Sequence, residues 1–422
     1  MPPSLSNTTA ANSEAQSPEG GSNTDWEEVD EFLLRSAELL SRFGTPSHRL
    51  ERVVVRVAES LGRKAACLYT PTSLMLSFGE GPDERTRMRR VDAGETNLGK
   101  LIDFDEVLED VEHGRIDLVR ATLRMNAVAD APPRYGAIAV GLACSLGSAG
   151  ATLFLGGGMS EILVAAILGA FIFLVGWLVE RLPTSQSLAV PLAGFLAAIL
   201  SIMLSRWVVA VDDRFATLGS LVILLPGLSF TVAMAELASK HLVAGTSRMA
   251  SAAVTFITMT VGVALAWRLA GALRGESVDR IEPPSWLLLA AVVVVPLAFA
   301  VLLQARRSEW PVILTVAVLG FAAAKIGAWL LGSEFAPFLG ALAVGCASNS
   351  YARWIDRPAS VPLIPGILLL VPGSVGYRSL TAFLENQAVQ GIELAFTTTL
   401  VAASLVGGLL VANVVVPPKR LL

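Results

Sequence analysis

Residues 223–230 read ILLPGLSF, and residues 369–376 read LLVPGSVG. Each stretch places a proline and a glycine inside an apolar run that otherwise suits a membrane helix. Proline removes a backbone donor and clashes with the preceding turn, and glycine is the next weakest helix former. In hydrocarbon such a break is tolerated only where protein, water or a ligand satisfies the freed backbone groups. The two stretches therefore predict two interrupted membrane helices beside a cavity, with a simple packed kink as the alternative interpretation.

The composition indicates a polytopic α-helical membrane protein. Apolar residues make up 53% of the 422 residues, charged residues make up 16%, and the mean hydropathy is +0.61. These values lie well away from those of soluble proteins. The formal net charge is -4 and no basic stripe occurs, which argues against a nucleic-acid partner.

The residues that could carry catalysis or bind metal are few and scattered. The three cysteines are far apart and odd in number, so we predict neither a disulfide framework nor a zinc site. The three histidines have no ligand spacing to one another, and His48 and His113 are interpreted as surface residues. We therefore predict no enzyme activity, no metal and no cofactor.

Changes of composition along the chain predict four parts. Residues 1–25 are rich in Ser, Asn, Thr, Pro and Gly and are predicted to be a disordered tail. Residues 26–131 are charged and amphipathic, and segments of helical periodicity stand before and after short runs with the alternation of a strand. They predict a cytosolic α+β domain. Thr45 is predicted to cap the second helix of this domain. Residues 132–275 and 276–422 are predicted to be two membrane halves of five spans each.

Ten apolar segments follow Pro133, and the ninth is short for a spanning helix. They cover residues 135–158, 162–179, 188–204, 215–237, 249–270, 286–303, 312–331, 335–351, 361–375 and 392–416. If the N-terminal domain is cytoplasmic, nine Lys and Arg residues fall in the inside gaps and six in the outside gaps. This agrees with the positive-inside rule and predicts a multi-pass protein of the cell membrane, with both the N-terminal domain and the C-terminus in the cytoplasm.

The two membrane halves are related by a shift of 146 residues. This shift places Pro226 and Gly227 on Pro372 and Gly373, and it also superposes two later pairs of glycines. Because each unit contains five spans, an odd number, the second copy must enter the membrane from the opposite side. The sequence therefore predicts an inverted repeat, which is the architecture of many secondary transporters.

The candidate substrate contacts are polar residues and helix-breaking residues, most of them near the two interruptions. Half-helix termini offer dipoles and unpaired backbone groups to polar solutes, and an intramembrane cation could meet a carboxylate. Lys325 lies deep in an apolar segment, and Arg378 follows the second break. The predicted substrate-binding residues are Pro226, Gly227, Ser229, Lys325, Pro372, Gly373, Ser374, Tyr377 and Arg378.

Three acids are candidates for carrying a coupling proton. Glu236 follows the first break by ten residues, and Asp212 and Asp213 precede the segment that contains it. A buried carboxyl can hold a proton because burial disfavours its charged form. For both aspartates, and for Arg378, an ordinary loop position at the membrane surface is an equally good interpretation.

The chain resembles the threonine/serine exporters over nearly all of its length after the tail. The resemblance is carried by LLRSAELLSRFGTPSHRLERVVVRVAESLG and YTPTSLMLSFGEG in the N-terminal part. It continues in ILLPGLSFTVAMAELASKHLVAGTSRMASA and LLVPGSVGYRSL in the two membrane halves. The resemblance implies a soluble N-terminal domain joined to ten spans, and export of threonine and serine driven by the proton motive force.

Three functions remain open on these grounds. The first is a proton-coupled exporter of small hydroxy amino acids that works by alternating access, with membrane lipid around it. The second is a dicarboxylate exporter, because separate-chain relatives in the family are linked to succinate. The third is a membrane sensor or scaffold, which the paired breaks and Lys325 disfavour because a passive anchor needs neither. Assembly as a homo-oligomer is left open by the sequence.

Overall fold

The structure is a computed structural model that describes residues 23–92, 94, 96–181, 188–271 and 281–419. Most of the predicted disordered tail lies outside the described residues. Residues 23–25, which the sequence analysis assigned to that tail, belong to the first helix.

The described residues before 131 form four helices and a three-stranded antiparallel sheet. The elements are α1 (Asn23–Arg42), α2 (Ser47–Ser60), β1 (Ala65–Thr70), β2 (Ser73–Phe78), β3 (Arg85–Arg90), α3 (Leu98–Glu112) and α4 (Leu118–Asp130). The sheet has the order β1-β2-β3. Gly44 ends the α1 turn with φ +79°, and a Cβ there would lie 2.8 Å from Thr96 Oγ1. The N-cap of α2 is Pro46 and not the predicted Thr45, because the helix begins one residue later at Ser47.

Twelve helices occupy the described residues after 131. They are α5 (Ala137–Phe154), α6 (Met159–Val179), α7 (Ala189–Trp207), α8 (Asp213–Leu221), α9 (Gly227–Ala238), α10 (Leu242–Leu269), α11 (Ser285–Leu302), α12 (Trp310–Leu331), α13 (Ala336–Ile355), α14 (Ser360–Leu368), α15 (Gly373–Leu384) and α16 (Ala388–Val415). Many of them expose large apolar side chains, such as Leu289 and Trp329, on the outer surface. Such a surface is suited to contact with lipid tails, so the chain is a multi-pass membrane protein.

The described residues contain eight helical segments that are long and apolar enough to span a membrane, or nine if the bent pair α8–α9 is one span. The predicted count of ten is therefore not reached. The helix that accounts for the lower number of spans is α13. It carries the polar residues Ser348, Asn349 and Ser350 in its second half. The predicted bounds of the ninth segment were too narrow. The helical chain continues past the break, and Ser360–Leu384 is long enough to span a membrane.

The bounds of the last two helices in each membrane half repeat with one offset. α9 begins at Gly227 and α15 at Gly373, and these positions differ by 146 residues. The first residues of α10 and α16, Leu242 and Ala388, differ by the same number, as do the last residues of each pair of helices. The pairs differ in shape, since the first bends by 54° at its break and the second is straight enough to count as one 25-residue span.

The N-terminal residues pack directly on the membrane helices. Their apolar core continues into Ala300, Ala305 and Ile313, at the end of α11 and the start of α12. The N–H of Leu98 donates to the carbonyl of Leu303 at 2.9 Å, next to an ion pair between Arg306 and the carboxylate of Asp103. The N-terminal helices and the membrane helices thus share one packed core on this face, which we call the domain side.

Candidate functional site

The two Pro-Gly breaks have the same local geometry. Pro226 has φ -77° and ψ 36°, and Pro372 has φ -79° and ψ 20°, so each proline is the N-cap of the helix that follows. The carbonyl of Pro226 accepts from the N–H of Phe230 at 2.9 Å, and the carbonyl of Pro372 accepts from the N–H of Gly376 at 3.0 Å. Each break therefore ends one half-helix and starts another at equivalent positions.

The two breaks contact one another in the interior. A Cβ built on Gly227 would lie 3.0 Å from the Cα of Gly373 and 2.4 Å from Cγ1 of Val371. A Cβ built on Gly373 would lie 3.3 Å from the Cβ of Leu225 and 3.4 Å from the Cα of Gly227. Glycine is required at this crossing because any side chain on Gly227 would meet the opposite backbone.

A central cavity of 130 Å³ lies at this crossing. Gly227, Leu228, Gly373 and Ser374 line it, together with apolar side chains from α5, α11 and the chain before each break. The first N–H groups of a helix have no intrahelical partner and lie at the positive end of its dipole. Because α9 and α15 both begin here, the cavity receives two helix N-termini, which are suited to an anionic group.

A larger cavity of 430 Å³ opens on the domain side. Its membrane walls come from α9, α13, α14 and the last part of α16, including Thr231, Asn349 and Asn413. Its remaining wall comes from α2 and the residues before it. Pro418 also lines this cavity, so the described C-terminal residues lie on the domain side.

A cavity of 180 Å³ lies on the other side of the membrane part, which we call the opposite side. Tyr377 and Arg378 of α15 line it with Trp267 of α10. At its edge Arg214 forms an ion pair of 3.0 Å with Glu385. Leu394 of α16 lines this cavity and Val406 of the same helix lines the domain-side cavity, so about 18 Å of helix separates the two linings.

The domain-side and opposite cavities are lined by corresponding positions. Seven lining residues of one cavity have a counterpart 146 positions away in the lining of the other. The pairs are Leu218 with Ile364, Thr231 with Tyr377, Val232 with Arg378, Ala235 with Thr381, Ser239 with Glu385, His241 with Gln387 and Trp267 with Asn413. The Pro-Gly crossing thus has an equivalent cavity on each side.

The structure distributes the predicted substrate contacts over several places. It brings Gly227, Gly373 and Ser374 together at the central cavity, and both prolines cap the helices there. Ser229 is half-buried in the first turn of α9. Tyr377 and Arg378 lie in the opposite cavity, Tyr377 buried and Arg378 exposed.

Lys325 lines none of these three cavities, but its cleft shares Phe154 and Leu369 with the central cavity. Its side chain is exposed, its Nζ is 5.5 Å from the centre of the Phe321 ring, and it lines a cleft with residues of α5, α11 and α13. Its predicted contact with a substrate carboxylate stays a prediction, and that contact would have to be made in this cleft.

Glu236 is fully buried, with 0% exposure, and connects the N-terminal residues to the membrane helices. Its Oε1 accepts from the N–H of Ser47 at 3.0 Å and from the Ser47 hydroxyl at 2.8 Å. Its Oε2 pairs with Nε of Arg248 at 3.1 Å. Both carboxylate oxygens therefore have donors, and two of these donors come from the first residue of α2.

The predicted acids Asp212 and Asp213 stand at the start of α8. Asp212 is the N-cap of this helix, and its side chain accepts from the N–H of Arg214 at 3.1 Å. The N–H of Asp212 in turn donates to Oε1 of Glu161 at 2.9 Å. The two aspartates therefore lie beside a third acid, Glu161, on the opposite side.

Sequence analysis missed Glu161, which lies in the first turn of α6 with 2% exposure. Its Oε2 is buried and has no partner among the described residues. The sequence does contain a signal that could have identified this residue, since an acid directly precedes the long apolar run that begins at Ile162. A corresponding acid, Glu309, stands at the start of α12, but it contacts both Tyr351 and Arg357.

Sequence analysis also missed the wall that α2 contributes to the domain-side cavity. The prediction that His48 is a surface residue was wrong, because His48 is half-buried and lines this cavity with Arg49 and Arg52. His113 is exposed, as predicted. The charges of α2 looked like an ordinary solvated face because the packing of α2 on α9 has no local signal in the sequence.

These features define the class of the protein. It is a multi-pass α-helical membrane protein in which two interrupted helices cross between cavities on opposite sides. One family model for threonine/serine exporters matches residues 31–270, and a second, described as "Threonine/Serine exporter, ThrE", matches residues 288–415. The chain belongs to the threonine/serine exporter family.

Several fungal proteins are similar to this chain. An uncharacterized protein of Schizosaccharomyces pombe is 27% identical over 87% of this chain and 49% of its own length. Pheromone-regulated membrane protein 10 of Candida albicans (strain WO-1) is 26% identical over 82% of this chain and 33% of its own length. The protein of the same name from Yarrowia lipolytica is 27% identical over 84% of this chain and 30% of its own length. The chain thus spans half or less of the length of these relatives, and no solved structure matches it.

Proposed function

We propose that the protein is a secondary active transporter that exports threonine and serine from the cytoplasm in exchange for protons. The observation that carries this proposal is the contact between Gly227 and Gly373, with cavities on either side that share seven corresponding positions. A transporter that works by alternating access needs one substrate site that can open to either side. A crossing flanked by two equivalent cavities suits this requirement.

The two membrane halves are proposed to be inverted five-helix repeats, with α8–α9 and α14–α15 as the interrupted helix of each. The constant offset of 146 residues between the bounds of α9 and α10 and those of α15 and α16 supports this arrangement. The domain side is proposed to face the cytoplasm and the opposite side to face the exterior of the cell membrane, in agreement with the charge bias of the gaps. The domain-side cavity is the larger of the two.

The substrate carboxylate is proposed to bind at the central cavity. The N–H groups that begin α9 and α15 can donate to it from both halves, and the hydroxyl of Ser374 can contact the hydroxyl or amino group of the substrate. Tyr377 and Arg378 are proposed to contact the substrate on its way through the opposite cavity. At the central cavity these polar groups stand in an otherwise apolar wall, which is typical of small-molecule sites.

Proton coupling is proposed to involve Glu161, in addition to the predicted Glu236, Asp212 and Asp213. Glu236 already has donors for both oxygens, whereas Oε2 of Glu161 has none among the described residues. We expect Glu161→Gln to retain exchange of substrate for substrate but to lose net transport driven by a pH gradient. This result follows because exchange needs no change in protonation. Labelled substrate flux in proteoliposomes, with and without the gradient, measures both activities.

The matched control for this variant is Glu393→Gln. Glu393 is an exposed acid near the start of α16, on the same side of the molecule. We expect it to keep the response to the pH gradient. A Glu161→Gln protein with a normal response would exclude Glu161 as the proton carrier.

The function itself is tested by counterflow in proteoliposomes. Vesicles loaded with threonine, serine or succinate are diluted into labelled substrate, and accumulation of label is measured with each of the others as competitor. Accumulation of threonine and serine that is insensitive to succinate is the expected result. Accumulation of succinate alone would identify the dicarboxylate exporter instead, and no accumulation of any of them would favour the sensor or scaffold.

A further inference from the structure

Lys325 is a charged residue inside a membrane-spanning helix. It lies six residues before the end of α12 at Leu331. Because α12 begins on the domain side, where Ile313 joins the N-terminal core, its end lies on the opposite side. Among the described residues no carboxylate pairs with Lys325, and the Phe321 ring that contacts its ammonium has no negative charge to neutralise it. An ionisable group in a membrane segment is costly unless it is paired or wet, so this ammonium indicates an anionic solute in its cleft.

The ammonium of Lys325 is directed toward the middle of the span. Its Nζ lies 5.5 Å from the centre of the Phe321 ring, and Phe321 is one turn closer to the domain side. A lysine that contacts lipid headgroups extends its stem toward the nearer membrane surface, which here would be the side of Leu331. The orientation of Lys325 therefore favours a ligand inside the cleft over a lipid headgroup.

The cleft beside Lys325 has a volume of 310 Å³, and small-molecule sites measure about 300–1,000 Å³. Three of the helices that form it have an end there. Phe154 is the last residue of α5, Leu288 lies in the first turn of α11, and Pro337 is the second residue of α13. The positive end of the α13 dipole therefore adds to the charge of Lys325. A cleft of this kind is suited to an anionic group close to the opposite side.

Phe154 lies between this cleft and the central cavity. It lines both spaces, as does Leu369, which stands three residues before Pro372 of the second break. The ring of Phe154 also packs against the ring of Phe321, with 5.6 Å between their centres. Among the described lining residues, the central cavity shares none with the opposite cavity that contains Arg378. On the opposite side the Lys325 cleft is therefore the space that adjoins the central cavity.

We propose that the Lys325 cleft is a second carboxylate-binding site, which the substrate reaches from the central cavity when Phe154 moves aside. This inference rests on the proposed function. The ligand class is a small solute with a free carboxylate, as in the exported amino acid. Its carboxylate leaves the two helix N-termini at the central cavity, contacts the ammonium of Lys325 and is then released to the opposite side. Lysine is suited to such a transient contact, because its ammonium is a point charge on a flexible stem.

The second site is tested by the apparent KM for substrate presented from the opposite side. The full chain is reconstituted, vesicle orientation is determined by protease access, and initial rates of labelled threonine uptake are measured from each side. We expect Lys325→Met to raise the opposite-side KM about tenfold or more, since a hydrogen bond to a charged group is worth at least this factor. The domain-side KM is expected to stay within about twofold, because the central cavity is unaltered. Lys325→Arg retains the charge and is expected to recover most of the affinity.

Arg206→Met is the matched control for the loss of one positive charge. Arg206 is exposed in the last turn of α7, beside the chain that leads to Asp212 on the opposite side. It lines neither the cleft nor any of the three cavities. We expect its KM from either side to equal that of the unaltered protein. An equal rise in the two variants would overturn the second site, because the effect would then come from the surface charge in general.

The position of Phe154 as a barrier is tested by chemical labelling, which requires no transport. Ser374→Cys places a thiol at the central cavity, and a membrane-impermeant thiol reagent with a sulfonate group is added from the opposite side. We expect Phe154→Ala to increase the rate of labelling severalfold. Lys325→Met is expected to slow this anionic reagent but not a cationic one. The Phe154→Ala protein with Ser374 retained gives the background from Cys67, Cys144 and Cys346.

The possible outcomes separate this inference from the proposed function. If the unaltered protein transports none of threonine, serine and succinate, the proposed function fails, and the labelling alone decides whether the cleft attracts anions. If the unaltered protein transports and Lys325→Met has an unchanged opposite-side KM, the second site is overturned. Unchanged labelling in Phe154→Ala would show that Phe154 is not the barrier and would overturn the route through the cleft. A larger rise in KM for succinate than for threonine would support the same site with a dicarboxylate as its ligand.

Discussion

Replacement of Gly227 by alanine is expected to reduce the rate of transport at least about tenfold. The new Cβ would lie 2.4 Å from Cγ1 of Val371, which is closer than real Cβ contacts allow, and 3.0 Å from the Cα of Gly373, which is a tight contact. Extra volume in a packed interior costs about 1–3 kcal/mol, and here it separates the two interrupted helices at their crossing. A shift of the two helix N-termini away from one another removes the proposed carboxylate site. Initial rates of labelled threonine flux in proteoliposomes measure the effect.

Two further glycines give this prediction a graded control. A Cβ on Gly373 would meet its nearest atom at 3.3 Å, so Gly373→Ala is expected to reduce transport less than Gly227→Ala. A Cβ on Gly176, in α6, would meet nothing within 4 Å, so Gly176→Ala is expected to keep transport and to leave stability unchanged or slightly raised. A folded Gly227→Ala protein with normal flux would show that the crossing has no part in transport.

Replacement of Glu236 by glutamine is expected to destabilise the protein by about 3 kcal/mol, because it leaves the buried charge of Arg248 without its partner. The loss should appear first in α2, whose initial residue donates to Glu236 through both its N–H and its hydroxyl. Hydrogen exchange of the α2 amides and thermal unfolding in detergent measure the local and the global effect. Faster exchange is expected in α2 before it is seen in α9.

Glu112→Gln provides the comparison with an ion pair near the surface. Glu112 pairs with Arg56, whose side chain is 40% exposed, so its replacement is expected to cost less than about 1 kcal/mol. Glu236→Gln combined with Arg248→Gln should recover part of the lost stability, because it removes the unpaired charge. If Glu236→Gln unfolds like the unaltered protein, the Glu236 contacts do not hold α2 on the membrane helices.

The same contacts explain why the N-terminal region cannot be understood as an independent unit. Sequence analysis placed a boundary at 131/132 from a change in composition, and that division stays a prediction. The core of the N-terminal residues nevertheless includes Ala300 and Ile313 from the second membrane half. Glu236, whose role as a proton carrier stays a prediction, accepts hydrogen bonds from donors in α2 and α10.

The sequence by itself determined the features that depend on local physics. Long apolar runs identified a multi-pass membrane protein, since transfer of a segment into lipid depends on its own composition. Pro226 and Pro372 located the two interruptions, because the loss of a backbone donor acts within one helical turn. The offset of 146 residues could be found from the sequence alone. The sequence motifs were also sufficient to identify the threonine/serine exporter family.

Only the tertiary structure decided which residues share a cavity. Lys325 lies within an apolar segment and Glu161 directly precedes one, but packing leaves the first exposed and the second 2% exposed. Ser47 and Glu236 are 189 positions apart, and nothing in the chain near either residue indicates their contact. The direction in which a helical side chain points relative to its neighbours depends on how the helices pack. For this reason the wall that α2 contributes to the domain-side cavity could not be found from sequence periodicity alone.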